Sequence, residues 1–379
     1  MTRFTLKAIV AATAIAASGA ALADITIGVI APLTGPASGL GIPAGNQVKL
    51  WPKEIAGQKL NVIVMDDASD PNQAVTHAKR FVTNDKVDII MGSVATPPAA
   101  AIAQVAEESL TPQLSWSPVA LPAGKDKWTF RMPQSNAVMG HAVIEHMKKQ
   151  GVKTIGFLGY SDAYGETWLN DFKPQAEKAG MKVVAVERFA RADTSVTGQA
   201  LKLVSANPDA ILVVASGSGA AMPQMALADR GYKGKVYQTH AAATRDLMRV
   251  GGKSVEGGFV VSGPAVLAEQ LPDSHPSKAE AIKFVQQYEK AYGPASRNQF
   301  AGHAYDSILV LDKAVPIALK KAKPGTPEFR AALRDAFEQM GKITLAHGVL
   351  NWTPADHWGY TDDTGVMMKV TGGEFKVEK

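Results

Sequence analysis

The chain has 379 residues, a formal net charge of +5 and no cysteine, and 46% of its residues are hydrophobic. The lack of cysteine excludes disulfides, thiol catalysis and cysteine-ligated metals, and the scattered basic residues give no sign of nucleic-acid binding. The length is sufficient for two globular domains that each bury a core.

The first 23 residues have the layout of a secretory signal peptide. Arg3 and Lys7 precede an apolar run over residues 8–17, and Ala21-Leu22-Ala23 forms a small-x-small cleavage site. The run is too short to span a bilayer. We therefore predict export with cleavage after Ala23, and no lipid anchor because no cysteine stands at that point. An amphipathic helix of a cytosolic protein is the alternative.

Short apolar runs predict strands, and they fall into two series. The first series contains residues 25–30, 60–65 and 87–91, and the second contains residues 154–159, 182–187, 210–214 and 258–262. Short, nearly continuous apolar strands of this kind are typical of a parallel sheet that is covered on both faces.

Capping residues predict helices between these strands. Asp70-Pro71 and Thr96-Pro97 each place a capping side chain before a proline, which indicates helices over 71–84 and 96–109. Further helices are predicted over 163–180 and 219–231, a mostly helical region over 276–340, and a β-rich tail over 343–377.

The alternation of strands and helices predicts an α/β fold with right-handed crossovers. Because the pattern starts at Asp24 and again near Gly151, we predict two doubly wound lobes of similar build. Parallel sheets bind ligands at the carboxyl ends of their strands. The cleft between the two lobes is therefore the expected site.

The common catalytic and cofactor motifs are missing from the sequence. The loop after the first strand lacks G-x-G-x-x-G, and neither G-x-S-x-G nor H-E-x-x-H occurs. The acidic run Asp66 to Asp70 lacks the glycine and the distal Glu of a calcium loop. We therefore expect a protein that is not an enzyme and holds neither cofactor nor metal.

Seven segments occur in a specific order along the chain. They are residues 27–36 (IGVIAPLTGP), 66–71 (DDASDP), Gly92 with Thr96, 130–131 (FR), 162–165 (DAYG), 304–306 (AYD) and 348–357 (GVLNWTPADH). In this order and spacing they resemble the type I periplasmic solute-binding proteins of ABC importers. More narrowly, they resemble the branched-chain amino-acid (leucine/isoleucine/valine) binding group. The resemblance covers essentially the whole chain after residue 23.

The resemblance implies two Rossmann-like lobes joined by three crossing strands. Lobe 1 would contain residues 24–133 and 264–348, and lobe 2 would contain residues 134–263 and 349–379. Such a protein is a periplasmic monomer that closes over a small molecule by a hinge motion and delivers it to a membrane permease. A ligand sensor that is not coupled to transport is a second interpretation of the same fold.

The resemblance also implies where a ligand carboxylate is held. In the family, hydroxyls and backbone N–H groups beyond two strands of the first lobe hold it, and the matching positions here are Thr96, Ser117 and Val119. An anion in a cleft favours hydroxyl donors and a helix N-terminus. A simple capping role for Thr96 is the alternative, and it is compatible with ligand contact.

This chain departs from the family pattern at the same place. Pro97 and Pro98 remove two of the first N–H groups that a helix start would offer. The Ala99 N–H and the hydroxyls of Ser38, Ser93 and Ser117 are therefore candidates to supply the missing donors.

In the second lobe the family supplies an aromatic and an acidic residue. Tyr164 matches the aromatic position, with packing at the domain edge as its alternative. The acidic position, which pairs with the ammonium of α-amino acids, is His240 here. A buried ammonium without a carboxylate partner is unstable, whereas a histidine can donate to a ligand oxygen. A solvent-facing loop position is the alternative for His240.

Three further positions concern the size of the pocket. Leu40 stands where relatives often carry an aromatic residue, Trp116 is expected to wall the pocket or join the core, and Ser216 and Gly217 leave room. Space, an apolar wall and a missing ammonium partner favour an aromatic or other bulky carboxylate. A branched-chain or other amino acid is the alternative ligand.

Overall fold

The computed structural model describes residues 24–378. The predicted signal peptide and the last residue lie outside this range. Within residues 24–378, no helix is both long and apolar enough to cross a bilayer.

The first sheet has six strands in the order β2-β3-β1-β4-β5-β6. They are β1 (Ile25–Ala31), β2 (Glu54–Ile55), β3 (Gln58–Asp66), β4 (Ile89–Gly92), β5 (Gln113–Ser115) and β6 (Thr129–Arg131). All neighbours are parallel except the short pair β2 and β3.

The second sheet starts with five parallel strands: β7 (Thr154–Tyr160), β8 (Lys182–Phe189), β9 (Ala210–Val214), β10 (Lys235–Gln238) and β11 (Phe259–Ser262). A hairpin follows later, formed by β12 (Ile343–Leu345) and β13 (Gly348–Leu350). The last strands, β14 (Val366–Thr371) and β15 (Glu374–Val377), add to the second sheet in antiparallel fashion. The resulting order is β15-β14-β11-β10-β9-β7-β8.

Eleven α-helices pack against the two sheets of the described chain. They are α1 (Ser38–Val48), α2 (Pro71–Arg80), α3 (Thr96–Ser109), α4 (Asn136–Lys149), α5 (Ala163–Lys178), α6 (Thr197–Ala206), α7 (Ala221–Asp229), α8 (Arg245–Gly251), α9 (Lys278–Tyr292), α10 (Gln299–Leu319) and α11 (Pro327–Gln339).

The predicted α/β class and its two doubly wound lobes are confirmed. The predicted helix over 96–109 and the strand over 210–214 match α3 and β9 in full, and the other predicted strands differ at their ends by at most a few residues. Asp70 caps α2 by accepting the Asn72 N–H at 2.7 Å. That helix passes into a short π-helical turn over Phe81–Asp85.

The chain passes between the sheets three times, through residues 132–135, 263–277 and 351–365. Helices α9 and α10 return to the first sheet's side, where the Trp51 indole donates to the Ala304 carbonyl at 3.0 Å. Trp352 and His357 pack against Phe130 of β6. These contacts associate the start of the third crossing with the first lobe, although the lobe 2 range predicted above begins at residue 349. The exact lobe boundaries stay a prediction.

Candidate functional site

A narrow cavity lies between the two lobes. Seven of the predicted site residues line it: Leu40, Thr96, Trp116, Ser117, Tyr164, Ser216 and His240. They come from the loops and helix starts that follow the strands of both sheets, as the rule for parallel sheets requires.

Two hydroxyls stand side by side on the first lobe. Thr96 is the first residue of α3, and its Oγ1 lies 2.7 Å from the Oγ of Ser117 in a buried hydrogen bond. Both side chains line the cavity. Since one hydroxyl of such a pair must donate to the other, the second keeps its proton for a ligand acceptor. The pair is therefore suited to an anionic oxygen.

Trp116 forms a wall of the cavity and is itself fully buried. Its indole N–H donates to the Ser307 hydroxyl on α10 at 2.8 Å. Because the polar edge is already satisfied, the ring offers its apolar surface to the cavity. Both roles expected for Trp116, wall and core, are thus present in one side chain.

The other four predicted residues do not line the cavity. Ser93 is fully buried beside the carboxyl of Asp67, and the Val119 carbonyl accepts from Arg131 Nε at 3.0 Å. Ser38 begins α1. Gly217 has a positive φ of 52°, and a Cβ built there would lie 3.0 Å from Leu40 Cδ1. Gly217 of the second lobe thus lies close to Leu40 of the first lobe.

Arg191 also lines the cavity, and the sequence analysis missed it. Its Nε donates to Asp162 at 2.5 Å and its Nη1 donates to Ser216 at 3.1 Å, while the guanidinium lies 4.2 Å from the ring centre of Tyr160. These contacts fix a planar cation at the cavity wall. A guanidinium held in this way can bind a carboxylate with defined geometry.

Tyr164 belongs to the second-lobe wall and is buried. Its hydroxyl lies 2.8 Å from Thr239 Oγ1, and burial raises the pKa of the phenol above its ordinary value. The group therefore stays protonated, so it supplies a neutral aromatic surface to the cavity.

His240 is 3% exposed, which rules out the solvent-facing alternative. It lies in a short 3₁₀ turn after β10, close to Tyr164 and Trp168. Burial, together with nearby His347, lowers the pKa of His240 to about 3. Its ring is thus neutral, and its Nδ1 has no hydrogen-bond partner within the described chain.

His303 of α10 is a second neutral imidazole in the cavity wall that sequence reasoning missed. Burial lowers its pKa well below the ordinary value, and its Nδ1 is also without a partner among residues 24–378. None of the described residues that line the cavity carries a carboxylate. Arg191 is therefore the one charged side chain in the described lining, and its Nε is paired with Asp162.

Among residues 24–378, including those of the cavity, no group of three or more His, Asp or Glu side chains is arranged to hold a metal ion. The chemistry of the cavity comes from hydroxyls, two neutral imidazoles, one guanidinium and aromatic rings. These are groups that bind and orient a small molecule.

Two parallel-stranded lobes with a polar cavity between them define the class of solute-binding proteins. A family model described as "Periplasmic binding protein" matches residues 24–374. The chain belongs to this family, whose members are periplasmic proteins that bind small molecules for ABC transporters.

Three comparisons illustrate the likeness. An extracellular ligand-binding receptor from Rhodopseudomonas palustris is 50% identical with a TM-score of 0.92, over 94% of this chain and 100% of that one. "Leu/Ile/Val-binding protein homolog 3" from Brucella melitensis biotype 1 is 26% identical over 92% of each chain. An ABC-transporter solute-binding protein from R. palustris, solved in complex with benzoate, is 20% identical with a TM-score of 0.77, over 93% of this chain and 95% of that one.

Proposed function

We propose that the protein captures a small aromatic carboxylate in the interlobe cavity and delivers it to an ABC-type permease. The observation that carries this proposal is the charge of the cavity wall, which contains Arg191 and no carboxylate. An α-amino acid would leave its ammonium unpaired there, whereas a simple carboxylate needs no counter-charge beyond those present.

The surface of the cavity supports an aromatic ligand. Trp116, Tyr164 and Phe300 provide ring surfaces within the wall. The benzoate complex of a protein with this fold shows that the architecture accommodates an aryl acid in that relative.

The second candidate is a branched-chain amino acid, favoured by the name of the Brucella relative. Its ammonium would meet His240 at the position that resembles the family's acidic residue. Neutral His240 can accept one hydrogen bond but cannot supply a negative charge. The two candidates therefore differ in the charge that they require at residue 240.

A thermal-shift screen distinguishes the two ligands. We expect cinnamate or benzoate to raise the melting temperature of the protein at pH 7.5, because binding to the folded state alone stabilises it, and leucine, isoleucine and valine to have no effect. His240→Glu should weaken the binding of the aryl acids by charge repulsion. His141→Glu, at an exposed position of α4, should leave their binding unchanged. Stabilisation by leucine and none by the aryl acids would reject the proposal.

The hydroxyl pair gives a second test. Thr96→Val keeps the side-chain shape but removes a donor, and a hydrogen bond to a charged group contributes about 1.5–3 kcal/mol. We therefore expect the dissociation constant for cinnamate, measured by calorimetry, to rise about tenfold or more. Thr76→Val on the exposed face of α2 is the matched control and should bind as the unmodified protein does. Equal affinities for the two variants would remove Thr96 from the site.

A further inference from the structure

Three buried imidazoles, His240, His303 and His347, form a cluster at the meeting point of the lobes. His240 comes from the second lobe, and His303 comes from α10 on the first. The His303 ring stacks on that of His347, with ring centroids 4.1 Å apart and an interplanar angle of 28°. We call this set the histidine cluster. His240 and His303 line the ligand cavity, and His347 does not.

His347 lies where the three interlobe connections converge. Gln134 of the first connection donates to the His347 carbonyl at 2.7 Å. At Gly263 of the second, an added Cβ would lie 2.9 Å from both Gln134 Nε2 and His347 Cδ2. His347 itself lies in the hairpin turn that leads into the third connection. The ring is therefore packed among the segments that must move when the lobes open.

The anionic side chains around the histidine cluster can neutralise only one added proton. Asp306 accepts from His347 Nδ1 at 2.8 Å and from the His347 and Ala346 backbone N–H groups, so one buried carboxylate faces one imidazole. The other ionisable groups that line the cavity or interact electrostatically with Asp306 are Arg191, which is paired with Asp162, and the phenols of Tyr164, Tyr305 and Tyr360. Protons on His240 and His303 would have no anionic side chain to offset them.

We propose that closure of the cleft is linked to proton release from the histidine cluster, so that the protein binds its ligand near neutral pH and loses affinity in acid. This inference concerns the cavity of the proposed function and rests on it. In the closed form the imidazoles are buried together, and opening of the lobes exposes His240 and His303 to water.

The direction of the effect follows from the difference between the two states. Burial lowers the pKa of His240 to about 3 and that of His303 well below its ordinary value, whereas a hydrated histidine has a pKa of about 6.5. The open form therefore binds more protons than the closed form below pH 6.5. The free energy that favours closure is therefore fully available above that pH and decreases as the pH falls below it.

The test is the dissociation constant for cinnamate, measured by calorimetry at pH 7.5, 6.5, 5.5 and 5.0. We expect it to rise at least tenfold between pH 7.5 and 5.0. An acid with the pKa of a Glu side chain, about 4.3, is still mostly ionised at pH 5.0, so loss of ligand charge accounts for little of this change. If cinnamate binds at pH 7.5 and its dissociation constant is the same at pH 5.0, the inference is overturned and the proposed function stands.

Neutral variants locate the effect within the histidine cluster. In His303→Gln and His240→Gln, the ratio of the dissociation constants at pH 5.0 and 7.5 should shrink at least threefold relative to the unmodified protein. His141→Gln, an exposed histidine of α4, is the matched control and should keep the full ratio. Unchanged ratios in both cluster variants would contradict the inference.

An interlobe distance provides a measurement that needs no ligand. Because the chain has no cysteine, two introduced cysteines would carry the only two spin labels. Suitable exposed positions are Ile42 on α1 and Arg249 on α8, changed as Ile42→Cys and Arg249→Cys. We expect the label distance in ligand-free protein to lengthen between pH 7.5 and 5.0. If cinnamate fails to bind at pH 7.5, the proposed function fails, and this distance alone decides the inference: an equal distance at both pH values would overturn it.

Discussion

Asp306→Asn is expected to destabilise the protein by about 3–5 kcal/mol, the cost of breaking a buried charged network by changing one partner. Asp306 is fully buried and accepts three hydrogen bonds, from the backbone N–H groups of Ala346 and His347 and from His347 Nδ1. Asparagine has one acceptor oxygen and an NH₂ group, so its donors would face other donors. Thermal unfolding followed by circular dichroism measures the loss.

Asp312→Asn is the matched control, because Asp312 is exposed on the same helix, α10. Exposed substitutions away from such networks change the free energy of unfolding by about 0.5 kcal/mol or less. Equal melting temperatures for the two variants would mean that the carboxylate of Asp306 does not hold the hairpin turn at residues 346–347.

Arg191→Gln is expected to raise the dissociation constant for cinnamate about 30-fold or more. Truncating one partner of a buried charge pair costs about 2–5 kcal/mol, and Arg191 is the one cation in the described cavity wall. The fold should persist, because Asp162 would still accept the Tyr164 and Gly165 N–H groups that start α5. Calorimetry at pH 7.5 measures the affinity.

Arg188→Gln provides the comparison for Arg191. Arg188 lies on the same segment, but it pairs with Glu166 at the surface and is 43% exposed, so its loss should leave the affinity within about twofold, as expected for an exposed ion pair. An equal effect of the two substitutions would show that Arg191 acts through the general charge of the surface and not through contact with the ligand.

The regular parts of the fold were predictable because their apolar patterns are local. Strand β9 is a continuous apolar run and α3 starts at a threonine before two prolines, and both were found with correct ends. Helix α1 was missed because it contains Gly39, Gly41, Gly45 and Pro43, which oppose helix formation in isolation. Its stability comes from packing against α10. The hydroxyls of Tyr288 and Tyr292 on α9 also donate hydrogen bonds to carbonyls of α1.

The candidate site was predictable where the resemblance to the family places a ligand-binding position just past a strand. Thr96, Ser117, Tyr164 and His240 were found in this way and line the cavity. Arg191 was missed because arginines are common on surfaces and its role depends on Asp162, 29 positions away.

His303 was missed for a related reason, since it lies inside the long apolar helix α10. Its partner His347 is far away in the sequence, in the turn between β12 and β13. Pairings of this kind arise from the closed tertiary structure, and no local pattern of residue types reports them.

The central claim is that the cavity receives an organic anion and offers no negative charge to an amine. The most direct measurement is a crystal structure of the protein grown with cinnamate and leucine at equal concentrations. We expect an aryl acid in the cleft, with its carboxylate within hydrogen-bonding distance of Arg191 or of the Thr96 and Ser117 hydroxyls. Leucine in the cleft, with its ammonium against an acidic side chain, would contradict it.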